Sequence, residues 1–204
     1  MIPISVIDNF YDEPYLIRNY ALSQEFTRDG DGWPGVRTNM IYSLNKELYD
    51  HFIEKFLFLF FDLRSDKLKV DLKTYFQIID ETYEEGWVHK DTGVTVAGVV
   101  YLTPDAPTDC GTSIYNENTP GYIGYDFPTR DKFYNNPILD TQYQAIRDTH
   151  NDKFTKTLDI KNVFNRLVVY PGEYFHRESK FFGNNLTNSR LTQVFFIKIH
   201  TEEH

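Results

Sequence analysis

The chain has 204 residues, 41% hydrophobic and 17% aromatic, which suffices for one domain with a sizeable core but not for two. Its formal net charge of −9 disfavours binding to a phosphate backbone, so we expect no nucleic-acid partner. The sequence shows neither a signal-peptide pattern nor an apolar run long enough to cross a bilayer, which predicts a soluble, cytoplasmic protein without a membrane partner. The single cysteine, Cys110, excludes an intramolecular disulfide and a cysteine-based metal site.

Residues 1–66 are predicted to form a helical N-terminal support. A short strand over residues 4–7 precedes a helix for which Asp12 is a plausible N-cap. A turn-rich loop over residues 28–39 follows. A second helix is predicted over residues 45–59, and its apolar stripe indicates burial against a sheet; the stripe consists of Leu48, Phe52, Phe56 and Leu59.

Residues 67–200 are predicted to form a β-rich core within the same single domain, 1–204. The strands are expected at residues 75–79, 94–102, 112–115, 164–170 and 191–199. A polar insertion at about 116–160 interrupts them, with one helix near residues 139–149. Helices followed by many strands favour a mainly β, α+β fold whose helices pack on one face of an antiparallel core. A double-sheet jelly roll is compatible with this pattern.

The most informative polar residues are His89, Asp91 and His176. His89 and Asp91 are two positions apart, so on an extended segment both side chains point to the same face. Two imidazoles and one carboxylate are a ligand set that holds a ferrous ion on one face and leaves the opposite positions open. A second His-x-Asp pair, at His150, lies at the end of a predicted helix, and we interpret His150 as a surface histidine.

Arg190 begins the strand that follows His176, and Thr192 shares its face. Together they offer a forked cation and a hydroxyl to a carboxylate. An inward-facing arginine at the start of an apolar strand would be costly without an anionic partner. The alternative is that Arg190 is the exposed first residue of its strand, and the sequence leaves the two interpretations open.

Taken in order, these segments resemble the iron- and 2-oxoglutarate-dependent dioxygenases, particularly their prolyl-4-hydroxylase-like branch. The resemblance covers roughly residues 70–200. The residues that carry it are Tyr83 and Gly86 before His89 and Asp91, the strand end Tyr101-Leu102-Thr103, the pair Gly111-Thr112, and His176 followed by Arg190 and Thr192. The spacing between His176 and Arg190 is longer than in the family, which predicts an extended loop between them.

The resemblance implies a double-stranded β-helix (jelly-roll) core in which His89, Asp91 and His176 bind Fe(II). It implies that Arg190 pairs with the distal carboxylate of 2-oxoglutarate. Further residues of the cosubstrate pocket would be Thr192, Tyr101, Tyr75 and Gln77. The implied reaction consumes O2 and 2-oxoglutarate, hydroxylates a C–H bond and releases succinate and CO2.

Two other functions remain open at this point: a non-enzymatic cupin-like or β-sandwich binding module, and a cupin-type metalloenzyme that does not use 2-oxoglutarate. The prime substrate, a small molecule or a peptidyl side chain, is not readable, and neither is the oligomeric state. Candidate lids are the Trp33-Pro34-Gly35 loop and residues 116–136. The second lid contains Tyr122, Tyr125, Phe127, Arg130 and Tyr134.

Overall fold

The computed structural model describes residues 2–28, 32–62, 68–122, 127–135 and 141–201. The strands are β1 (Ser5–Ile7), β2 (Val36–Arg37), β3 (Leu68–Ile79), β4 (Val96–Tyr101), β5 (Thr112–Glu117), β6 (Phe154–Ile160), β7 (Leu167–Pro171), β8 (Phe175–Glu178) and β9 (Arg190–Thr201). The helices are α1 (Pro14–Leu22), α2 (Ile41–Leu44), α3 (Lys46–Phe60), α4 (Phe127–Asn135) and α5 (Thr141–Asn151). No helix among the described residues is long and apolar enough to span a membrane.

The strands form two antiparallel sheets. The larger has the order β1-β7-β4-β9-β3-β2, and the smaller has the order β6-β5-β8. Strand β9 pairs along its whole length with β3, which places Gln77 opposite Thr192 and Ile79 opposite Arg190. Tyr101 of β4 lies opposite Thr192 on the other side of β9. This register brings the predicted cosubstrate residues of three strands to one end of the larger sheet.

Helix α3 covers the outer face of the larger sheet, as its apolar stripe predicted. The side chain of Asn45 accepts a hydrogen bond from the backbone N–H of Leu48 at 2.9 Å and caps the first turn. Phe52 and Phe56 are fully buried, and their ring centroids lie 5.1 and 5.7 Å from that of Phe195 on β9. The predicted mainly β, α+β class with helices on one sheet is therefore confirmed.

Several local predictions need correction. Asp12 does not cap α1, because the N-cap position is Glu13 and no side chain accepts a hydrogen bond there. Leu59 is 46% exposed, because Phe60 rather than Leu59 continues the buried stripe after Phe56 and packs against the core. His150 is buried rather than at the surface, since α5 packs inward and the imidazole Nε2 lies 2.8 Å from the carbonyl oxygen of Val88.

The segment 116–160 is more regular than predicted. It contains α4, α5 and strand β6, which pairs with β5 and completes the smaller sheet. The helix expected near residues 139–149 corresponds to α5, although its predicted first residues lie outside the described part of the chain, as does Tyr125. Strand β8 was not predicted either. The chain between Glu178 and Arg190 forms no strand, in agreement with the extended loop expected there.

Candidate metal centre

The backbone brings His89, Asp91 and His176 together. His89 and His176 exchange two backbone hydrogen bonds of 3.0 and 2.9 Å, so the segment after Trp87 runs antiparallel to β8. The N–H of Asp91 donates to the carbonyl oxygen of Gly172 at 2.8 Å. Because main-chain bonds hold all three positions, the three side chains do not depend on a ligand to meet.

The side-chain atoms of this triad are spaced for a shared ion. His176 Nε2 lies 3.2 Å from Asp91 Oδ2, and His89 Nε2 lies 3.7 Å from Asp91 Oδ1. One ligand atom from each residue fits within a 4.8 Å span. Metal–ligand bonds of about 2.0–2.2 Å would place such atoms at about these separations around one ion.

Both imidazoles are oriented by carbonyl groups. Nδ1 of His89 lies 2.8 Å from the carbonyl oxygen of Trp87, and Nδ1 of His176 lies 2.8 Å from that of Tyr174. With Nδ1–H donating to the carbonyl, each ring keeps Nε2 free to coordinate, which is the arrangement usual at protein metal sites. Tyr170 packs on His176, with ring centroids 4.3 Å apart, and this contact fixes the ring further.

The electrostatics of the triad favour a cation. Burial raises the pKa of Asp91, but the neighbouring His176, which also hydrogen-bonds to it, outweighs burial and brings the pKa to about 2. Burial together with the charge of His176 lowers the pKa of His89 to about 4. Burial also opposes protonation of His176, yet the carboxylate of Asp91 raises its pKa overall. Without metal, the first proton taken up by the two imidazoles therefore goes to His176 rather than to His89, beside an ionised Asp91.

The triad lines a cavity of about 310 Å³ between the two sheets. Arg190, Thr112 and Tyr170 line the cavity from the strands, and Trp33 and Arg130 line it from the loop before β2 and from α4. The volume is at the lower end of the about 300–1,000 Å³ common for ligand pockets. The cavity therefore suits a small dicarboxylate together with a small substrate group.

Arg190 is buried in the wall of this cavity, with 1% of its surface exposed. Its Nε donates a long hydrogen bond of 3.4 Å to the carbonyl oxygen of Cys110, and its guanidinium carbon lies 5.4 Å from the ring centroid of Tyr101. Its Nη2 has no hydrogen-bond partner, and no carboxylate of the described residues pairs with it. A buried guanidinium in this state is suited to bind a carboxylate from a ligand.

The other residues predicted for the cosubstrate pocket differ in whether they reach the cavity wall. Gln77 lines the cavity and donates to the carbonyl oxygen of Pro34 at 2.7 Å. Thr192 is fully buried and its Oγ1 has no hydrogen-bond partner. Tyr101 lies in the layer behind Arg190, with its hydroxyl 2.7 Å from Thr112 Oγ1. Tyr75 does not line this cavity; it lines a neighbouring pocket on the other side of Arg37.

The cavity is also lined by residues that were not predicted as part of the site, among them Arg37, Thr112, Tyr170 and Glu178. Glu178 is two residues after His176 on β8, so strand alternation could have indicated that both side chains face the same side. Arg37 gave no such signal, because β2 has only two residues and owes its position to pairing with Gln77 and Ile78.

Comparison with known proteins gives one family match and several similar structures. The model of a family of unknown function, DUF6445, matches residues 2–197. No curated protein matches the sequence.

Among solved structures, HygX from Streptomyces hygroscopicus, with nickel and 2-oxoglutarate bound, is similar, with a TM-score of 0.57 and 11% identity over 96% of this chain and 82% of HygX. A prolyl hydroxylase from Trichoplax adhaerens, in complex with a hypoxia inducible factor peptide fragment, has a TM-score of 0.55 and 13% identity over 96% and 83% of the two chains. The α-ketoglutarate-dependent epimerase SnoN from nogalamycin biosynthesis has a TM-score of 0.53 and 14% identity over 95% and 76%.

These similarities extend over nearly the whole chain, and they establish its fold. The two antiparallel sheets form the jelly-roll core shared with these structures, so the predicted double-stranded β-helix is confirmed. Metal and 2-oxoglutarate are bound in similar structures of this fold, and His89, Asp91 and His176 form a cluster that could hold a metal ion here.

Proposed function

We propose that the chain, which belongs to the DUF6445 family, is an iron- and 2-oxoglutarate-dependent oxygenase. The observation that carries the proposal is a single cavity lined by a His-Asp-His cluster and by a buried arginine without a carboxylate partner. The cluster supplies the ligands of a ferrous ion, and the arginine supplies the counter-charge of a dicarboxylate.

The side chains present fit both groups. His89, Asp91 and His176 would hold the iron through Nε2, a carboxylate oxygen and Nε2, leaving the side towards the cavity open. Arg190 and Thr192 would bind the distal carboxylate of 2-oxoglutarate. Arg190 lines the cavity, and its Nη2 lacks a partner that a carboxylate would supply. Thr192 also has a partnerless Oγ1, but it is fully buried and is not among the residues that line the cavity, so it would have to reach the carboxylate from behind this wall.

When bound, iron and 2-oxoglutarate would supply the oxidising chemistry, with O2 consumed and succinate and CO2 released as the substrate is oxidised. The chain itself contributes orientation and exclusion of water. Carbonyl groups fix the tautomer of both imidazoles, and Tyr170 packs against His176. Gln77 and Thr112 line the wall near Arg190, where a bound dicarboxylate would displace solvent.

Within this class we propose hydroxylation of a C–H bond as the reaction. The solved structures of this fold include a prolyl hydroxylase and an epimerase, so the fold is compatible with more than one outcome. Hydroxylation is the simpler outcome because it needs no separate acid or base from the protein; Lys90, Tyr170 and Glu178 line the cavity and are the groups that a separate proton transfer would use.

The test uses purified protein with Mn(II) and with Fe(II). We expect one Mn(II) per chain by electron paramagnetic resonance, stronger binding of 2-oxoglutarate once the metal is present, and succinate release with Fe(II), O2 and 2-oxoglutarate. His176→Ala should weaken Mn(II) binding by at least about a hundredfold and abolish succinate release, because one of three ligands is lost.

His200→Ala is the matched control, since His200 is 40% exposed and pairs with Asp71 outside the cavity. This variant should keep metal binding and succinate release. Retained activity in His176→Ala would contradict the ligand assignment. Failure of the unaltered protein to bind metal stoichiometrically would favour the binding-module alternative. Metal binding without an effect of 2-oxoglutarate would favour a metalloenzyme that does not use this cosubstrate.

A further inference from the structure

A second arginine, Arg37, lines the same cavity, and the proposed oxygenase chemistry does not account for it. It belongs to β2, beside the Trp33 loop. Its guanidinium carbon lies 4.5 Å from the ring centroid of Trp33 and 5.7 Å from those of Tyr75 and Phe196. These three aromatic side chains hold the guanidinium in place without neutralising its charge.

The polar contacts of Arg37 are few. Its Nη2 donates to Gln77 Oε1 at 3.4 Å, which is long for a hydrogen bond, and its buried Nε has no partner. No carboxylate of the described residues forms an ion pair with it. Burial lowers the pKa of Arg37 to about 10, so the side chain still carries its charge at neutral pH.

Two buried arginines away from the cavity, Arg18 and Arg147, are satisfied by the protein. Arg18 donates to the carbonyl oxygens of Leu102 and Thr187 at 2.8 and 2.6 Å. Arg147 forms an ion pair with Glu84 at 3.0 Å. The contrast indicates that Arg37 is not held for the stability of the fold, because the same chain provides close partners where an arginine has a structural role.

Glu178 is a carboxylate on the same cavity, in addition to Asp91 of the triad. It lies on the His176 side of β8, and its Oε2 is buried without a hydrogen-bond partner. Its charge acts on Arg37 through space, yet the two side chains form no ion pair. Among the charged side chains that line the cavity, Arg37 and Glu178 have opposite charges and do not pair with each other, so together they suit a molecule with the complementary pair of charges.

We propose that the prime substrate is a small amino acid, whose carboxylate binds Arg37 and whose amino group faces Glu178. The inference rests on the proposed function, because it places this substrate beside the metal and the 2-oxoglutarate site. A planar carboxylate suits the guanidinium of Arg37, and an ammonium group suits the carboxylate of Glu178, since both side chains line the cavity. The remaining volume of the cavity limits the substrate to a small molecule.

The experiment uses the full chain loaded with a substoichiometric amount of Mn(II) and saturated with 2-oxoglutarate. The probe is a mixture of the twenty protein amino acids, and the readout is paramagnetic broadening of their proton resonances, which reports binding close to the metal. We expect saturable broadening of one or a few amino acids. For each of these, the C-terminal amide and the N-acetyl derivative should bind more weakly, by about tenfold to a hundredfold, because each lacks one charge.

Arg37→Gln should weaken binding of the free amino acid by the same factor, leave binding of its amide unchanged, and leave 2-oxoglutarate affinity within about threefold. Arg37→Lys keeps the positive charge but loses the forked guanidinium, so its affinity for the free amino acid should lie between those of the unaltered protein and Arg37→Gln. Arg166→Gln is the control, since Arg166 pairs with Asp8 at the surface away from the cavity. Metal stoichiometry and the unfolding midpoint of each variant verify that it is folded.

The outcomes separate this inference from the proposed function. If the protein binds 2-oxoglutarate but broadens the proton resonances of no amino acid, or binds the amide as tightly as the free amino acid, the substrate assignment is wrong. The proposed oxygenase function is unaffected by that result. If Arg37→Gln weakens 2-oxoglutarate more than Arg190→Gln does, Arg37 is the cosubstrate clamp and the substrate assignment is also overturned. If 2-oxoglutarate does not bind at all, the proposed function fails, whatever the amino acids do.

Discussion

Replacing Arg190 with methionine should separate ligand binding from stability. Arg190 is 1% exposed, its Nε makes a long hydrogen bond to a carbonyl oxygen, and its Nη2 has no partner. In the ligand-free protein, Arg190 is therefore a buried charge with few hydrogen bonds to offset its desolvation. Replacing buried charged groups by apolar side chains of similar size is often neutral or stabilises the fold by about 1–4 kcal/mol. We therefore expect Arg190→Met to leave the free energy of unfolding of the metal-free protein unchanged or to raise it.

The same substitution should nearly abolish cosubstrate binding. A fork of two charge-assisted hydrogen bonds, each worth about 1.5–3 kcal/mol, contributes at least about 3 kcal/mol to binding. Its loss corresponds to an increase in the dissociation constant of 2-oxoglutarate of about a hundredfold or more. Isothermal titration of Mn(II)-loaded protein measures this constant without turnover, and urea unfolding of the metal-free protein measures stability.

Arg18→Met is the matched comparison, because Arg18 is also buried but donates to two backbone carbonyl groups. Removing it leaves both acceptors unsatisfied, so the free energy of unfolding should fall by about 1–3 kcal/mol for each acceptor, while 2-oxoglutarate affinity stays unchanged. The reasoning is refuted if Arg190→Met destabilises the protein as much as Arg18→Met and still binds 2-oxoglutarate normally.

Three further predictions concern the triad and the core. The pKa of His176 is raised, whereas His89 is neutral and Asp91 is ionised, so below the pKa of His176 a metal ion must displace one proton. Mn(II) affinity should therefore fall about tenfold per pH unit below that pKa and level off above it. A pH-independent affinity, measured by electron paramagnetic resonance, would contradict this. Phe52→Ala should lower the free energy of unfolding by about 3–5 kcal/mol, whereas Phe58→Ala, at a position 74% exposed, should change it by less than about 0.5 kcal/mol in urea unfolding. Gly98→Ala should destabilise β4 by about 1–3 kcal/mol, since a Cβ there would overlap the carbonyl oxygen of Val168; an unchanged unfolding midpoint would show that the sheet accommodates it.

The sequence predicted best those features that depend on local periodicity. The stripe of Leu48, Phe52 and Phe56 marks the buried face of α3 because helical spacing fixes which side chains share a face. The Val-rich run of β4 was likewise readable, since a strand buried on both faces is continuously apolar. Strand β9 was readable from its central apolar run, Val194 to Ile197. The two-residue spacing of His89 and Asp91 predicted a shared face, and the structure places them in one cluster.

Features that depend on tertiary contact were missed. Strand β8 has only four residues of mixed burial, so its identity comes from pairing with β5 rather than from its own sequence. His150 is buried because α5 packs it against the segment before His89, and nothing in the helix itself marks that face. Arg37 lies in a two-residue strand whose position is set by β3, far away in sequence.

The hydrogen-bond state of the arginines connects the fold with the function. A buried guanidinium is tolerated in a folded protein when close acceptors offset its desolvation, and Arg18 and Arg147 satisfy that condition within the chain. Arg37 and Arg190 do not, and both line the cavity that also contains the His-Asp-His cluster. Because such unsatisfied groups lower stability, their retention on one cavity is explained most simply if ligands offset the cost. Arg190 would then bind the distal carboxylate of the cosubstrate, and Arg37 would bind a carboxylate of a second ligand, the substrate.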